Sequence, residues 1–269
     1  MGVSLTIGVD IGGTKVAAGV VDEGGRIIAR AMRQTPDRST APSVVEAVIV
    51  EAVEELRREH NVSAVGIGAA GFVDANGELV RFAPHLSWRE EPLRARLMDR
   101  LNVPVFVDND ANTALWAEHR FGAAQGEENV VLVTLGTGIG GALLINGRLF
   151  RGANGMAGEF GHMQLVPEGR PCECGRRGCW EQYSSGKALA RYARSAGLHL
   201  TGPSLTEAAY EGHPVACGAY VDVGKWLGIG LAGSSSRSPT APTPPRAGGV
   251  RRWCWSPTLA RRTASADGC

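Results

Sequence analysis

The stretch "VSLTIGVDIGGTKVAAGVV", residues 3–21, reads as two apolar strands joined by a turn of small and polar residues. The first strand ends at Asp10. Gly12 and Gly13 permit a tight turn and let backbone N–H groups come close to an anion. Thr14 and Lys15 can donate to phosphate oxygens, and Asp10 can hold a water of a magnesium shell. A bare Gly-Gly pair would be an ordinary hairpin turn. Strand, Asp, Gly-Gly, Thr and Lys in one package read as a phosphate turn instead. "DEGGRIIARA" then gives another turn and a third strand.

The device recurs at "VVLVTLGTGIGGALLINGRLF", residues 130–150. Gly136, Thr137, Gly138 and Gly140 form its turn. Residues 136–141 match the dinucleotide pattern GxGxxG, but that fingerprint needs a helix directly after the turn. Here a strand follows, and Asn146-Gly147 is a hairpin signal. The dinucleotide reading is therefore rejected. Two such turns, one in each half of the chain, are the expected clamp for a polyphosphate.

Between them lie α/β elements. "APSVVEAVIVEAVEELRREH" carries Val44, Val45, Val48, Ile49, Val53 and Leu56 on one helical stripe. "SAVGIGAAGFVD" is a buried strand running into a glycine loop at Gly71. "VPVFVDNDANTALWAEHRFG" is a strand, a polar turn and a helix that Asp110 can cap. The polar turn stands at the C-terminal end of a buried strand, the usual place for a site in an α/β sheet. A carboxylate there, ionised at neutral pH, can accept a proton from a substrate hydroxyl.

Composition narrows the class. The chain has 269 residues, 43% hydrophobic and 20% charged, with a net charge of +1. That length allows two lobes or domains. The balance gives no reason to expect nucleic acid or an anionic membrane as partner. No apolar run is long enough to span a bilayer, and the N-terminus does not read as a signal peptide. Six cysteines are too few for a disulfide scaffold at this length, so a reducing, cytoplasmic setting is expected.

"DIGGTK", "DNDAN", "LGTGIGG", "EFGH" and "CECGRRGCWEQ" occur in this order. Together they resemble the ROK family of sugar kinases and repressors, most closely its actinobacterial-type glucokinases, over roughly residues 3–233. The resemblance implies an α/β protein of the actin-like ATPase (RNase H-like) fold, with two lobes around a cleft and a structural zinc loop. It implies ATP, Mg²⁺ and a hexose, with phosphorylation at the 6-hydroxyl of glucose. Other hexose kinases of the family, using N-acetylhexosamine, fructose or polyphosphate, remain alternatives, as does a sugar-binding protein without turnover. A homo-oligomer is also expected. A repressor would carry a helix-turn-helix ahead of the first strand, which this sequence does not show.

His162 with Cys172, Cys174 and Cys179 gives one nitrogen and three sulfurs, a closed structural zinc set. With four protein ligands such an ion would fix a loop rather than activate water. Cys217 is expected to be a small core residue. By the resemblance, Glu159, His162 and Glu181 hydrogen-bond sugar hydroxyls, together with Asn109 and the backbone near Gly71. Asp110 is the expected general base. Two positions depart from the family pattern: His85 stands where Asn is common, and Asp108 where Glu is common.

The expected domain division is a sugar and phosphate lobe over residues 1–118 and a second, incomplete lobe over 119–233 carrying the zinc loop at 159–181. From Ser234 onward Ser, Arg, Pro, Ala and Thr dominate, with six arginines and Asp267 as the lone acid. This segment, 234–269, shows no apolar period and is expected to be disordered. The strand and glycine-rich adenine loop of the family are not legible there, as if the reading frame had shifted.

Overall fold

The computed structural model describes residues 4–234 and, beyond them, the backbone of a strand at 253–256. In chain order the first half comprises β1 (Leu5–Ile11), β2 (Lys15–Val21), β3 (Ile27–Gln34), α1 (Pro42–Arg57), β4 (Val62–Ala69), β5 (Phe72–Val73), β6 (Val80–Phe82), β7 (Arg89–Glu91), α2 (Leu93–Leu101), β8 (Val105–Asn109) and α3 (Asp110–Phe121). Then come β9 (Val130–Leu135), β10 (Ile139–Ile145), β11 (Arg148–Leu149), two 3₁₀ turns at Phe160–His162 and Trp180–Gln182, α4 (Gly186–Ser195), α5 (Gly202–Tyr210), α6 (Pro214–Ser234) and β12 (Trp253–Ser256).

The chain forms two compact units. The first holds Met1–Glu128 and Ala142–Ala157, the second Asn129–Gly141 and Gly158–Cys269. The boundary thus falls after Glu128 rather than at residue 118. Moreover, the segment after the second glycine turn returns to the first unit. Its contacts explain why: the Gly147 N–H donates to the Glu128 carbonyl, and Gly155 lies directly against the backbone of Val73 and Asp74.

In the first unit, five strands form a sheet of order β3-β2-β1-β4-β8. β1 pairs antiparallel with β2 and β2 with β3, whereas β1–β4 and β4–β8 are parallel. This is the RNase H-like arrangement. Alternation decides which face is buried. Ile7, Val9 and Ile11 of β1 line up with Val65 and Ile67 of β4 and with Val105 and Val107 of β8, all in the core. α1 and α2 cover this face through Val45, Ile49, Val53 and Leu56 and through Leu93, Leu97 and Leu101. Pro42 opens α1, where a missing N–H costs nothing. Val44, placed on the apolar stripe by the sequence, is 43% exposed instead. It sits in the first turn, at the edge of the face that meets the sheet.

In the second unit, β9 leads through the turn at 136–138 into β10. α4, α5 and α6 pack together around Ala193, Leu205, Ala208, Ala216 and Ala219. α6 also meets the zinc-loop region, where the Trp180 indole N–H donates to the Trp226 carbonyl at 2.9 Å. Among the described residues, no helix is long and apolar enough to cross a membrane.

The expected disorder of 234–269 falls largely outside the described residues. One segment differs: β12 pairs in parallel with β9, Trp253 opposite Val131 through Ser256 opposite Thr134. "WCWS" is too short to show a period. Its two tryptophans nevertheless favour a strand where a paired edge is on offer.

Candidate active site and metal centre

Each unit carries its own group of candidate residues. In the first unit, Asp10 ends β1 and the 12–14 turn links it to β2. The Gly12 N–H donates to the Lys15 carbonyl at 3.0 Å, and the Thr35 hydroxyl donates to the Gly12 carbonyl at 2.7 Å. Neither Gly12 nor Gly13 has a positive φ. Their small size, not left-handed backbone, is what the turn uses. A Cβ at Gly13 would lie 2.8 Å from the His85 Cβ. His85, noted from sequence only as a departure, therefore packs against the phosphate turn. Gly13, Thr14 and Lys15 are exposed, as donors to a ligand must be.

At the end of β8 the polar turn is tied down on every side. Asp108 Oδ1 accepts the Asn109 N–H and the Asn112 side-chain amide, both at 2.8 Å. Its Oδ2 accepts two donors from Arg151, Nε at 3.0 Å and a terminal nitrogen at 2.6 Å. Asn109, not Asp110, caps α3: its Oδ1 accepts the N–H groups of Ala111 and Asn112. Asp110 is instead the first residue of the helix. Its Oδ1 also accepts the Ala111 N–H at 2.9 Å, which holds one oxygen against the helix N-terminus. The Asn109 amide donates to the Gly71 carbonyl at 3.0 Å and to Asp110 Oδ1 at 2.9 Å. All four hydrogen-bonding valences of Asn109 are thus engaged within the protein. It joins Gly71 to Asp110. Gly71 must stay glycine for this approach, since a Cβ would meet the Phe82 carbonyl at 2.6 Å.

Asp110 is exposed, as a group that meets substrate must be. Protein nevertheless crowds it closely enough to strip hydration. Desolvation pushes its carboxyl above the usual carboxylate range. The Ala111 N–H draws it down, and the neighbouring Asp10 charge pushes it up again. Asp10 is raised likewise by desolvation, with Lys15 opposing. Two carboxylates with raised affinity for protons at one sheet edge form a site that can take up a proton and attract a cation.

In the second unit, the Gly136 N–H donates to the Gly138 carbonyl at 3.0 Å, closing the second turn. β10 follows it as a strand, so the dinucleotide pattern at 136–141 is coincidental. Asn146 and Gly147 have φ of 50° and 71°, as a two-residue hairpin turn demands. Gly136 and Thr137 are exposed, and Gly140 is half-buried. The N–H groups of Gly186 and Lys187, opening α4, hold the Gly136 and Thr137 carbonyls at 2.8 and 3.3 Å. Glu181 abuts the turn from another side: a Cβ at Gly138 would lie 2.5 Å from its Oε2.

Glu159 and His162 bracket a 3₁₀ turn, in which residues three apart eclipse. Gly161 packs this turn onto β10, with no room for a Cβ beside the Ile139 carbonyl. The ligand atoms of His162, Cys172, Cys174 and Cys179 all lie within 4.8 Å of one another. Cys172 Sγ is 3.6 Å from His162 Nδ1, and Cys174 Sγ is 3.6 Å from Cys179 Sγ. A tetrahedral zinc with the usual bond lengths sets such edges at about 3.6 Å for N···S and about 3.8 Å for S···S. The donor set and its spacing therefore fit a closed zinc site. A short hairpin delivers the thiols: Pro171 bridges Arg177, and the Gly178 N–H donates to the Arg170 carbonyl. Glu181 Oε1 accepts from the Cys172 thiol at 3.3 Å. One side chain thus touches both the metal cluster and the second glycine turn. Cys217, on α6, is half-buried and donates to the Ala209 carbonyl, apart from the cluster.

Sequence reasoning missed Arg151, which lies 43 residues from its partner Asp108, and no local pattern announces it. It also missed His85 as a neighbour of the phosphate turn.

Known proteins resemble this chain closely. It is 46% identical over 250 residues to a glucokinase of Streptomyces coelicolor, covering 86% of this chain and 78% of that protein. A ROK family glucokinase from Streptomyces griseus, solved in complex with glucose and AMPPNP, superposes with a TM-score of 0.78. Its identity is 46%, over 86% of this chain and 78% of that one. A ROK hexokinase from Thermus thermophilus superposes with a TM-score of 0.71 at 37% identity, over 85% of this chain and 76% of that one. Residues 6–237 match the ROK family, and the chain belongs to it.

Proposed function

We propose that this protein is a glucokinase, transferring the γ-phosphoryl group of ATP to the 6-hydroxyl of glucose. The observation that carries this reading is Asp110: an exposed carboxylate at the start of α3, held through Oδ1 by the Ala111 N–H and the Asn109 amide and raised in proton affinity. The Streptomyces relatives named above supply the substrate class.

In this mechanism Asp110 accepts the proton of the 6-hydroxyl as that oxygen attacks phosphorus. Glu159, His162 and Glu181 orient the sugar, with Nδ1 of His162 turned to the thiols and its other ring nitrogen left for a hydroxyl. Asn109 positions Asp110 and the Gly71 backbone. Gly12, Gly13, Thr14 and Lys15, and Gly136, Thr137, Gly138 and Gly140, take the phosphates through backbone N–H groups and side-chain donors. Asp10 would hold Mg²⁺, which would neutralise phosphate charge. His162, Cys172, Cys174 and Cys179 would hold a zinc ion, and that would fix the loop that carries Glu181.

The same reading takes the enzyme to be a cytoplasmic homo-oligomer, which sedimentation of the purified chain tests. A coupled assay with glucose, fructose, mannose and N-acetylhexosamines, each with ATP and with polyphosphate, tests the activity. Glucose and ATP are expected to give the highest kcat/KM. Preference for another hexose or donor would replace the glucokinase assignment by one of the family alternatives.

A further inference from the structure

The first unit contains a cavity of about 670 Å³ beside the edge strand β8, separate from the glycine turn at 12–14. That volume lies in the range of small-molecule sites. Three arginines line it, Arg94, Arg148 and Arg151, against one acid, Asp108. Asp108 is consumed by Arg151. Among the described residues Arg94 and Arg148 have no ion-pair partner. The cavity therefore presents two uncompensated guanidinium groups. Two large aromatic side chains also line it and are left uncovered: Phe106 is 60% exposed and Trp116 43%.

We propose that this cavity is a second ligand site, for a phosphorylated hexose. Guanidinium groups bind phosphate by paired, charge-assisted N–H donors. Flat aromatic faces suit the apolar C–H face of a pyranose ring, and the Asn76 amide and Thr113 hydroxyl are there for its hydroxyls. Neither a neutral sugar nor an apolar compound uses both features. A hexose phosphate is also the product class of the proposed reaction, so occupancy would report product level.

The cavity is coupled to the active site by its own lining. Asp108 accepts the Asn109 N–H, and the Thr113 hydroxyl donates to the Asp110 carbonyl at 2.8 Å. Both residues hold the turn that carries the base. A phosphate in the cavity competes with Asp108 for Arg151 and loosens that turn. The ligand thus lowers kcat without competing with glucose.

The test uses the full chain under saturating glucose, which blocks the active sugar subsite. Glucose 6-phosphate, inorganic phosphate and ADP are titrated while tryptophan emission is read. Glucose 6-phosphate is expected to give a saturable change that vanishes in Trp116→Phe. Arg94→Ala and Arg148→Ala should each weaken binding by about 10-fold or more, the loss of a charge-assisted phosphate contact. In turnover, added glucose 6-phosphate should lower kcat in the parent protein and not in Arg148→Ala. The proposal falls if no Trp116-dependent change appears up to about 10 mM, a bound beyond which affinity is negligible. It falls equally if both arginine variants bind unchanged, or if inorganic phosphate gives the same Trp116-dependent change as the sugar phosphate; ADP, which the phosphate turns take, should give a change that persists in Trp116→Phe. The ligand choice rests on the kinase reading, but the emission titration needs no turnover. A failed activity assay and a failed titration are therefore distinguishable.

Discussion

Arg151 places two N–H donors on a single oxygen of Asp108, at 3.0 and 2.6 Å, one residue before Asn109 and two before the proposed base. The other oxygen of Asp108 holds the Asn109 N–H. The pair therefore fixes the turn that aims Asp110, using a residue from the segment that returns to the first unit after the second glycine turn. Arg151→Ala should leave a largely buried carboxylate half-satisfied, at a cost of about 1–3 kcal/mol in stability. It should also lower kcat more than it raises KM for glucose, because the base is misplaced while the sugar contacts remain. Denaturant unfolding and steady-state kinetics on Arg151→Ala and Arg151→Lys measure both. An unchanged kcat in Arg151→Ala would show that the turn holds its shape without the clamp.

Asp110→Asn should lower kcat by about 10²–10⁴-fold, the usual worth of a general base. The same substitution should stabilise the fold at neutral pH. The sign follows from the raised proton affinity of Asp110 in the folded protein. A carboxyl raised on folding contributes most below its unfolded value, and that contribution is lost as pH climbs through the folded value. At pH 7 the ionised Asp110 therefore weakens the native state, and asparagine removes the charge while keeping an acceptor oxygen. The melting temperature of Asp110→Asn should exceed that of the parent at pH 7. The gap should close near about pH 3, where both carboxyls are protonated. Loss of activity together with a gain in stability is the pattern of a strained functional group.

Asp10 is the like charge that helps raise Asp110. Asp10→Asn should therefore move the acidic limb of the kcat/KM profile to lower pH, even as overall activity falls with a phosphate-site residue lost. A limb that stays in place would assign the shift to desolvation alone.

β1 to β4, α1, β8 and α3 were legible because each carries a period or a turn signal, whereas the short strands β5 to β7 and the helix α2 were not read from the sequence. Ile7, Val9 and Ile11 alternate, Val45, Ile49, Val53 and Leu56 recur at helical spacing, and glycine turns punctuate the strands. The His162, Cys172, Cys174 and Cys179 cluster was legible because three of its four residues crowd into eight, from Cys172 to Cys179. Long-range partners left no such trace. Nothing local ties Arg151 to Asp108 or His85 to Gly13, and the Asn109 cap is indistinguishable from an Asp110 cap in a run reading "DNDAN". The unit boundary was misjudged for the same reason. A chain that leaves one unit and returns to it is defined by contacts such as Gly155 on Val73, not by composition. β12 was missed because four residues in a tail rich in Arg and Pro are too few to show alternation.

His85 against Gly13 makes a paired test of the phosphate turn. Gly13→Ala would set its methyl 2.8 Å from the His85 Cβ, closer than packed side chains stand. Either the turn or the His85 segment must move. KM for ATP should rise, and kcat/KM for ATP should fall by up to about 10²-fold for a displacement on the order of an ångström. His85→Gly alone should leave ATP affinity nearly unchanged, and the Gly13→Ala, His85→Gly double variant should recover most of the loss. If the double variant is as poor as Gly13→Ala, the defect lies in the turn itself and not in the contact.

Purified protein should carry about one zinc per chain, as four candidate ligand atoms within 4.8 Å of one another imply. Cys179 is fully buried and Cys172 nearly so, and the two flank the loop that ends in Glu181. Cys179→Ser should therefore lose the metal and release that loop. The consequence is specific, because Glu181 touches both Cys172 and the Gly138 turn. Metal loss should raise KM for glucose through Glu159, His162 and Glu181, and KM for ATP through the second glycine turn. Glu181→Gln keeps the metal, so it should reproduce the kinetic defect without the drop in melting temperature that Cys179→Ser causes. Elemental analysis, thermal melts and two-substrate kinetics on the two variants separate the outcomes. If Cys179→Ser retains both a full complement of zinc and parent kinetics, the cluster neither binds the ion nor positions the site.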